Sequence, residues 1–303
     1  MRRLSIIINA YNEEENIGKL LSRLLRIIDL NDEIVVVASG CTDNTIPIVR
    51  EFSDKDSRVR LIIEKERRGK ASSINKALKH ARGKYIAFIP ADVIPSRNFF
   101  NRILRYFNDE KIGVVGGRPV PVNPKNGVIN LIVHFIWDLH DQTLSYLNDL
   151  NRLSHISGEG FIIRRGIVNS IPDDVVNDDA YIAKLAKRRG FEIKYNGEAK
   201  IYIKGPSKVR EFIIQRRRIL FGHYQVKEKL GSYPTVFEFI SASNPLLALK
   251  ILIKTLGRNL KYLLVLPPLI VIELILHLMV KYDKFIGRDY TLWEQVKSTK
   301  KLI

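Results

Sequence analysis

Residues 4–17 read LSIIINAYNEEENI, an apolar run that ends in polar and acidic side chains. Helix-length segments separate this run from four others rich in Ile and Val. The five runs are Leu4–Ile8, Glu33–Val37, Val59–Ile63, Tyr85–Ile89 and Ile112–Val115. This alternation predicts an α/β fold with a mostly parallel sheet that helices cover on both faces. Ligands of such sheets bind at the carboxyl ends of the strands, so the residues that follow each strand are the candidate functional residues.

The composition is that of a folded chain, since 46% of the 303 residues are apolar and 27% are charged. One cysteine, Cys41, excludes an internal disulfide framework and a four-thiolate zinc site, which indicates a reduced, intracellular protein. The formal net charge of +18 predicts an anionic partner, whether nucleic acid, phospholipid or a phosphorylated substrate. Only a short apolar run follows Met1-Arg2-Arg3, so we expect no signal peptide.

The composition of the sequence changes near residue 205 and again near residue 245. We expect a catalytic domain over residues 1–205, a basic helical region over 206–245, and amphipathic or hydrophobic membrane-attachment helices over 246–303.

Three acidic candidates follow apolar runs or begin a helix. Asp92 follows the fourth predicted strand, and a carboxylate there suits Mg²⁺ or Mn²⁺, although it could equally be a turn residue before Pro95. Asp178 and Asp179 precede an apolar helical segment, where they could interact with the helix dipole or supply a general base.

In this order, the motifs resemble those of family 2 glycosyltransferases of the GT-A fold, over about residues 4–225. Residues 9–13, with Ala10, Tyr11 and Glu13, look like the opening nucleotide-binding motif, and residues 39–45, which begin at Ser39, look like the second one. The segment around Lys70 is similar to one whose lysine lies near the donor diphosphate. Asp92 stands where the family has its metal-binding Asp-x-Asp motif.

The resemblance continues on the acceptor and diphosphate side. Residues 157–161 look like the acceptor-side glycine loop, which includes Gly158, Glu159 and Gly160. Asp178-Asp179 matches the pair that supplies the catalytic base. Residues 215–219 are similar to the Gln-x-x-Arg-Trp motif, here with Gln215, Arg216 and Arg218.

Three positions depart from the family pattern. Ser39 replaces the acid that commonly reads the nucleotide base, so the nucleotide could be UDP or GDP. Pro90 replaces the first acid of the metal motif and leaves Asp92 as the expected protein carboxylate. Ile219 replaces the Trp of processive polysaccharide synthases.

The resemblance implies transfer of a sugar with inversion at the anomeric carbon. A departing diphosphate needs a divalent cation and basic side chains, which Asp92, Lys70 and either Arg216 or Arg218 would provide. We expect Asp179 to act as the base. One base without a protein nucleophile also implies a single displacement.

The C-terminal region predicts attachment to an anionic membrane surface. Basic residues recur every three or four positions over Leu246–Lys261, which favours a helix lying on lipid, although a helix packed on the catalytic domain would also fit. Pro267-Pro268 predicts a break, and Leu260–Val280 is only marginally able to span a bilayer. We therefore favour monotopic attachment over a single span or a re-entrant hairpin. The basic clusters come with no nucleic-acid recognition motif, so we expect no nucleic-acid partner.

The predicted function is transfer of one sugar from a nucleotide-sugar to a lipid-linked, polyprenyl-type or glycan acceptor at the cytoplasmic face of the cell membrane. The alternatives are a processive polysaccharide synthase and a non-catalytic protein that binds nucleotide-sugar or lipid.

Overall fold

The computed structural model describes residues 3–300. Met1 and Arg2, on which the signal-peptide prediction partly rests, lie outside these residues. The strands are β1 (Leu4–Ala10), β2 (Glu33–Ser39), β3 (Val59–Glu64), β4 (Tyr85–Phe88), β5 (Ile94–Pro95), β6 (Ile112–Pro121), β7 (Phe161–Arg164) and β8 (Glu192–Ile203). The α-helices are α1 (Ile17–Leu25), α2 (Thr45–Lys55), α3 (Lys70–His80), α4 (Phe99–Leu104), α5 (Val128–Asp149), α6 (Asp178–Arg188), α7 (Val209–Leu230), α8 (Phe237–Ser243), α9 (Pro245–Leu256) and α10 (Tyr262–Phe285).

The strands of the described chain form one sheet in the order β3-β2-β1-β4-β7-β6-β8-β5. The pairs β1–β2, β2–β3, β1–β4 and β6–β8 are parallel. Strand β7 runs antiparallel to both of its neighbours, and β5 runs antiparallel to β8. The predicted α/β fold is confirmed, but its sheet is mixed around β7, a short strand that the sequence analysis did not identify.

Alternate residues of β1 show why its sequence is apolar without interruption. Ile6 and Ile8 join the core beneath α1 and α4, whereas Ile7 joins the core beneath α3 and α6. A strand covered on both faces has no solvent side, so its sequence does not alternate between apolar and polar residues.

The helix boundaries correct two predictions for the C-terminal region. The helix predicted over Leu246–Lys261 ends at Leu256, and Arg258 turns back to pair with Asp138 and Asp141 of α5 at 3.0 and 2.7 Å. Helix α10 continues through Pro267-Pro268 instead of breaking there. Both prolines are exposed and lie in its first two turns, so the helix loses two hydrogen bonds but no packing contact of its buried face.

The outer side of helix α10 is apolar and exposed, whereas its inner side buries Val265, Leu269, Leu276 and Val280 along with a few polar residues. Glu273 accepts a hydrogen bond from Arg216 at 2.7 Å, and His277 is 3.0 Å from the Tyr224 hydroxyl. Leu264 and Leu274, which face away, are 75% and 62% exposed. An outer side this apolar is unusual for a water-soluble helix, whose solvent-facing side is normally polar.

Candidate active site

The loops after β1, β2 and β4 open into one cavity of about 1180 Å³. The parallel register sets Ala10 beside Ala38 and Ile7 beside Phe88, so the carboxyl ends of these strands meet at one edge. Every residue that the sequence predicts to bind the nucleotide-sugar donor lines this cavity. These residues are Ala10, Tyr11, Glu13, Ser39, Lys70 and Asp92. The structure therefore brings together side chains that are up to 82 positions apart in the sequence.

An aromatic ring and a guanidinium form the wall at the end of β1. The Arg67 guanidinium lies 4.0 Å from the centroid of the Tyr11 ring. Gly40, which follows β2, has φ of +61°, and a Cβ there would come within 2.7 Å of the Arg67 backbone nitrogen. The turn after the buried Ser39 thus requires glycine to admit the Arg67 segment.

In the adjoining part of the cavity, the carboxylates of Glu13 and Asp92 both lie near one lysine side chain. Glu13 is 6% exposed and pairs with the Lys300 ammonium, which also lies 3.8 Å from Asp92. Burial and the negative charge of Asp92 raise the pKa of Glu13 to about 7. The residues present therefore favour a cation between these carboxylates.

Helix α6 begins with the two predicted catalytic acids. Asp178 is held by Lys70, whose Nζ lies 2.8 Å from Asp178 Oδ1. Asp179 packs against the loop before β7, where a Cβ at Gly158 would come within 3.0 Å of Asp179 Oδ2. Burial, together with the Asp178 carboxylate, raises the pKa of Asp179 to about 6. Asp179 is thus a basic carboxylate that is not neutralised by a direct ion pair in the described chain.

Glu159 and Arg218 complete the charged part of the cavity. Burial and the nearby Asp92 raise the pKa of Glu159 to about 7. The Arg218 guanidinium lies 4.3 Å from the centroid of the Trp293 ring and interacts electrostatically with Asp178 and Asp179.

The other residues predicted for the acceptor and diphosphate side lie in different surroundings. Arg216 binds Glu238 and Glu273, away from the carboxylates of the donor end, and Gln215 contributes to the cavity wall. Gly160 is absent from that wall because it packs beneath it, where a Cβ would come within 2.9 Å of Phe99 and Ile201. Gly160 is therefore explained by packing, whereas Gly158 and Glu159 face the cavity.

The segment after α10 returns to the donor end, which the sequence analysis did not foresee. The Trp293 carbonyl accepts a hydrogen bond from Arg67 at 2.7 Å, Gln295 donates to the Tyr11 carbonyl, and Lys300 reaches Glu13. These contacts join positions more than 220 residues apart, and no local sequence pattern signals them.

Beyond the charged groups, the cavity continues between α5 and the C-terminal helices. Its apolar wall there includes Phe135 and Leu139 of α5, Leu252 of α9, and Leu269 and Leu274 of α10. One continuous space therefore connects the donor end with the exposed apolar side of α9 and α10.

Comparison with known proteins identifies the family. The profile described as Glycosyl transferase family 2 matches residues 5–171, which is more than half of the chain. The chain belongs to glycosyl transferase family 2. Among curated family members, it is 26% identical over 238 residues to the probable glycosyltransferase YdaM of Bacillus subtilis, with 74% of this chain and 56% of that protein covered. It is 24% identical over 237 residues to the poly-beta-1,6-N-acetyl-D-glucosamine synthase of Staphylococcus aureus, with 74% and 55% covered. The chain thus spans about half the length of these family 2 relatives.

Solved structures confirm the GT-A fold. Mannosyltransferase PcManGT from Pyrobaculum calidifontis, in complex with GDP-Man and Mn²⁺, has a TM-score of 0.62 at 23% identity, over 85% of this chain and 75% of that one. S. aureus TarS 1-349 in complex with UDP-GlcNAc has a TM-score of 0.54 at 17% identity, over 86% and 81%.

Proposed function

We propose that this family 2 chain transfers one sugar from a nucleotide-sugar to an acceptor hydroxyl, with inversion. The observation that carries the proposal is the half-buried, basic Asp179 in the same cavity as Lys70, Arg218 and the Glu13–Asp92 pair. The acceptor oxygen attacks the anomeric carbon while the bond from that carbon to the diphosphate oxygen breaks. The electron pair leaves with the diphosphate, and Asp179 takes the proton of the hydroxyl. A single displacement inverts the anomeric carbon.

The charge that develops on the diphosphate is stabilised by basic side chains of this chain. Lys70 and Arg218 approach the same acidic cluster from α3 and α7, and both are held in place, by Asp178 and by Trp293 respectively. Fixed donors of this kind stabilise a leaving group without reorganisation.

Asp92 and Glu13 are the residues that would hold Mg²⁺ or Mn²⁺. Residues 3–300 contain no group of three or more His, Cys, Asp or Glu side chains placed to bind a metal ion, so diphosphate oxygens would complete the ligand set. The ammonium of Lys300 at the same two carboxylates supports this assignment, because it marks a position that favours positive charge. When bound, the ion would neutralise charge on the diphosphate.

We propose that the nucleotide of the donor is either UDP or GDP. The two similar solved structures named above are complexes with GDP-Man and with UDP-GlcNAc. Ser39, which replaces the usual base-reading acid, removes the negative charge with which that position would select a base. Hydrolysis and binding assays with a panel of UDP- and GDP-sugars test the donor class. Binding without turnover of any donor would instead indicate a non-catalytic protein.

The pH dependence of transfer tests Asp179 as the base. Only the ionised carboxylate accepts a proton, and its pKa is raised to about 6. We expect the rate to be constant above this pH and to fall about tenfold per unit below it, measured under saturating donor. The Asp179→Asn variant should lack this inflection in its residual activity. A wild-type rate that stays constant down to pH 4 would contradict the assignment.

We also propose that α9 and α10 attach the protein to the surface of a membrane. Within residues 3–300, Tyr262–Phe285 is the one helix long and apolar enough to cross a membrane, with a mean hydropathy of 2.5 over an 18-residue window. One side of it is held to α7 by Arg216–Glu273 and Arg217–Asp283 ion pairs, so lipid would contact only the other side. This supports monotopic attachment, with Lys250 and Lys254 of α9 exposed beside the apolar face.

Substitution of the apolar face should release the protein from lipid. Leu264, Leu274 and Leu278 are more than half exposed, and burial of a leucine side chain contributes about 1.5–3 kcal/mol. We expect the wild type to float with anionic liposomes even in 1 M salt, on the order of the concentration that screens surface charge. The triple Leu→Gln variant should stay unbound there.

The matched control is Leu30→Gln, because Leu30 is 80% exposed but lies outside the C-terminal helices. Equal flotation of the triple variant and the wild type would contradict the attachment. Removal of all residues after Ser241 is a poorer test, since it would also remove Glu273 and Asp283, the ion-pair partners of Arg216 and Arg217.

A further inference from the structure

The segment that crosses the donor end of the cavity after α10 is anchored near both of its ends. We call residues 289–300 the C-terminal strap. Near its start it packs on Gly69, which has φ of +92° and where a Cβ would come within 2.9 Å of the Thr291 side chain. Near its end, the Ser298 hydroxyl donates a hydrogen bond to Glu211 in the first turn of α7. These contacts fix the path of the strap over the donor end.

The C-terminal strap ends on the carboxylates that would hold the divalent ion. Lys300 pairs with Glu13, and its Nζ lies 3.8 Å from Oδ2 of Asp92. The Lys300 side chain is 21% exposed. Among the side chains that the structure describes, no other lysine or arginine forms an ion pair with either carboxylate. The ammonium therefore uses the same acidic groups that the proposed ion needs.

The two carboxylates cannot serve both cations at once. Mg²⁺ and Mn²⁺ bind oxygen ligands directly, so they reach Glu13 and Asp92 only after the ammonium of Lys300 has left. The displaced ammonium is a compact charge on a flexible stem and then needs another anion. The diphosphate of a nucleotide supplies that anion, whereas a divalent ion that arrives alone does not. Metal binding without nucleotide is therefore opposed by the lysine.

The anchored strap makes Lys300 an effective competitor for this position. Lys300 lies only two residues after Ser298, whose hydrogen bond to Glu211 holds the end of the strap beside the site. A group tethered in this way returns to its partners at a high effective concentration. An ammonium free in solution would not compete to the same extent.

We propose that Lys300 is an autoinhibitory counter-ion of the donor site. It holds the two carboxylates of the donor-free protein and releases them only when the divalent ion arrives together with a nucleotide. This inference rests on the metal site of the proposed function and assigns its regulation. The donor-free protein thus excludes free divalent ions from Glu13 and Asp92.

Binding of Mn²⁺ alone tests the competition. The chain of 303 residues, in non-ionic detergent and without nucleotide, is titrated with Mn²⁺, and the free ion is measured by electron paramagnetic resonance. We expect Lys300→Gln to bind Mn²⁺ at least about tenfold more tightly than the wild type, within the usual range of coupling between two ligands. Lys300→Arg keeps the charge and should bind Mn²⁺ like the wild type. Equal affinity of Lys300→Gln and the wild type would overturn the inference.

Two further variants locate the additional Mn²⁺ binding and separate it from an effect of net charge. Addition of Asp92→Ala to Lys300→Gln should abolish the gain in affinity. Lys65→Gln is the matched control, because Lys65 is exposed and follows β3 at the same edge of the sheet. Its Mn²⁺ affinity should equal that of the wild type. A gain that survived Asp92→Ala, or that Lys65→Gln reproduced, would overturn the role of Lys300.

Addition of nucleotide distinguishes failure of this inference from failure of the proposed function. UDP or GDP should tighten Mn²⁺ binding by the wild type, and by a smaller factor in Lys300→Gln, because that variant has no ammonium to displace. The same factor in both proteins would contradict the competition. No Mn²⁺ binding by the wild type even with nucleotide would overturn the proposed metal site. Binding of Mn²⁺ and nucleotide without sugar transfer would instead overturn the transferase proposal.

Discussion

Replacement of Asp179 by Asn should lower sugar transfer by about 10²–10⁴-fold, the usual contribution of a general base. The amide keeps the size of the carboxylate beside Gly158 but cannot accept the proton of the acceptor hydroxyl. Nucleotide affinity should stay within a few-fold of the wild type, because Asp179 is not the partner of Lys70. Transfer is measured as product formed per minute under saturating donor, and affinity is measured by calorimetry.

Asp174→Asn is the matched control for this loss. Asp174 lies five residues earlier and pairs with Lys229 at the surface, with its side chain 58% exposed. Its substitution should leave transfer unchanged. A near wild-type rate in the Asp179→Asn variant would move the base to Asp178 or remove the mechanism altogether.

Replacement of Asp92 by Ala should separate metal binding from nucleotide binding. A site of two carboxylates has few ligands of its own, so we expect Mn²⁺ to bind the wild type weakly alone and much more tightly with UDP or GDP present. In the variant, calorimetry should show the same nucleotide affinity with and without Mn²⁺, and transfer should fall by at least about 10²-fold, the scale of one lost transition-state contact.

Asp43→Ala provides the comparison for the Asp92 variant. Asp43 also lies at this edge of the sheet, but its carboxylate accepts hydrogen bonds from the backbone of Glu14 and Thr45. The coupling between metal and nucleotide should survive in that variant. Full transfer by the wild type in excess chelator would show that Asp92 does not act through a metal ion.

The residues at the donor end of the cavity could be predicted because each is marked by the apolar strand next to it in the sequence. Each of Tyr11, Ser39 and Asp92 follows a strand whose apolar sequence is plain, and the carboxyl ends of parallel strands necessarily meet. The strand pattern alone therefore predicts that these residues lie close together at one edge of the sheet. The family resemblance added their proposed roles.

The local sequence of α7 does not predict which of its arginines faces the catalytic acids. Arg216 and Arg218 are two residues apart, about 200° around a helix, so they cannot face the same ligand. The motif does not tell which one faces the acids. That is decided by Glu273, 57 residues away, which pairs with Arg216 and leaves Arg218 beside Asp178.

Helix α10 shows a similar limit. Its sequence predicts a polar stripe of Glu273, His277, Lys281 and Lys284, but a stripe does not state which side faces the protein, and Lys281 is exposed. Here Arg216 and Tyr224 of α7 contact Glu273 and His277 on the protein side of the helix. Leu264 and Leu274 remain outside.

The central claim, that this chain adds a single sugar to a membrane-associated acceptor, is tested most directly by following the sugar itself. The chain of 303 residues is reconstituted in vesicles made from extracted membrane lipids and supplied with labelled UDP- or GDP-sugars, and the label is measured in the organic phase. We expect one donor to give an extractable glycolipid extended by one sugar, of inverted configuration, and the Asp179→Asn variant to give no such product. Label that stays in nucleotide or enters a water-soluble polymer, or a product that retains the donor configuration, would contradict the central claim.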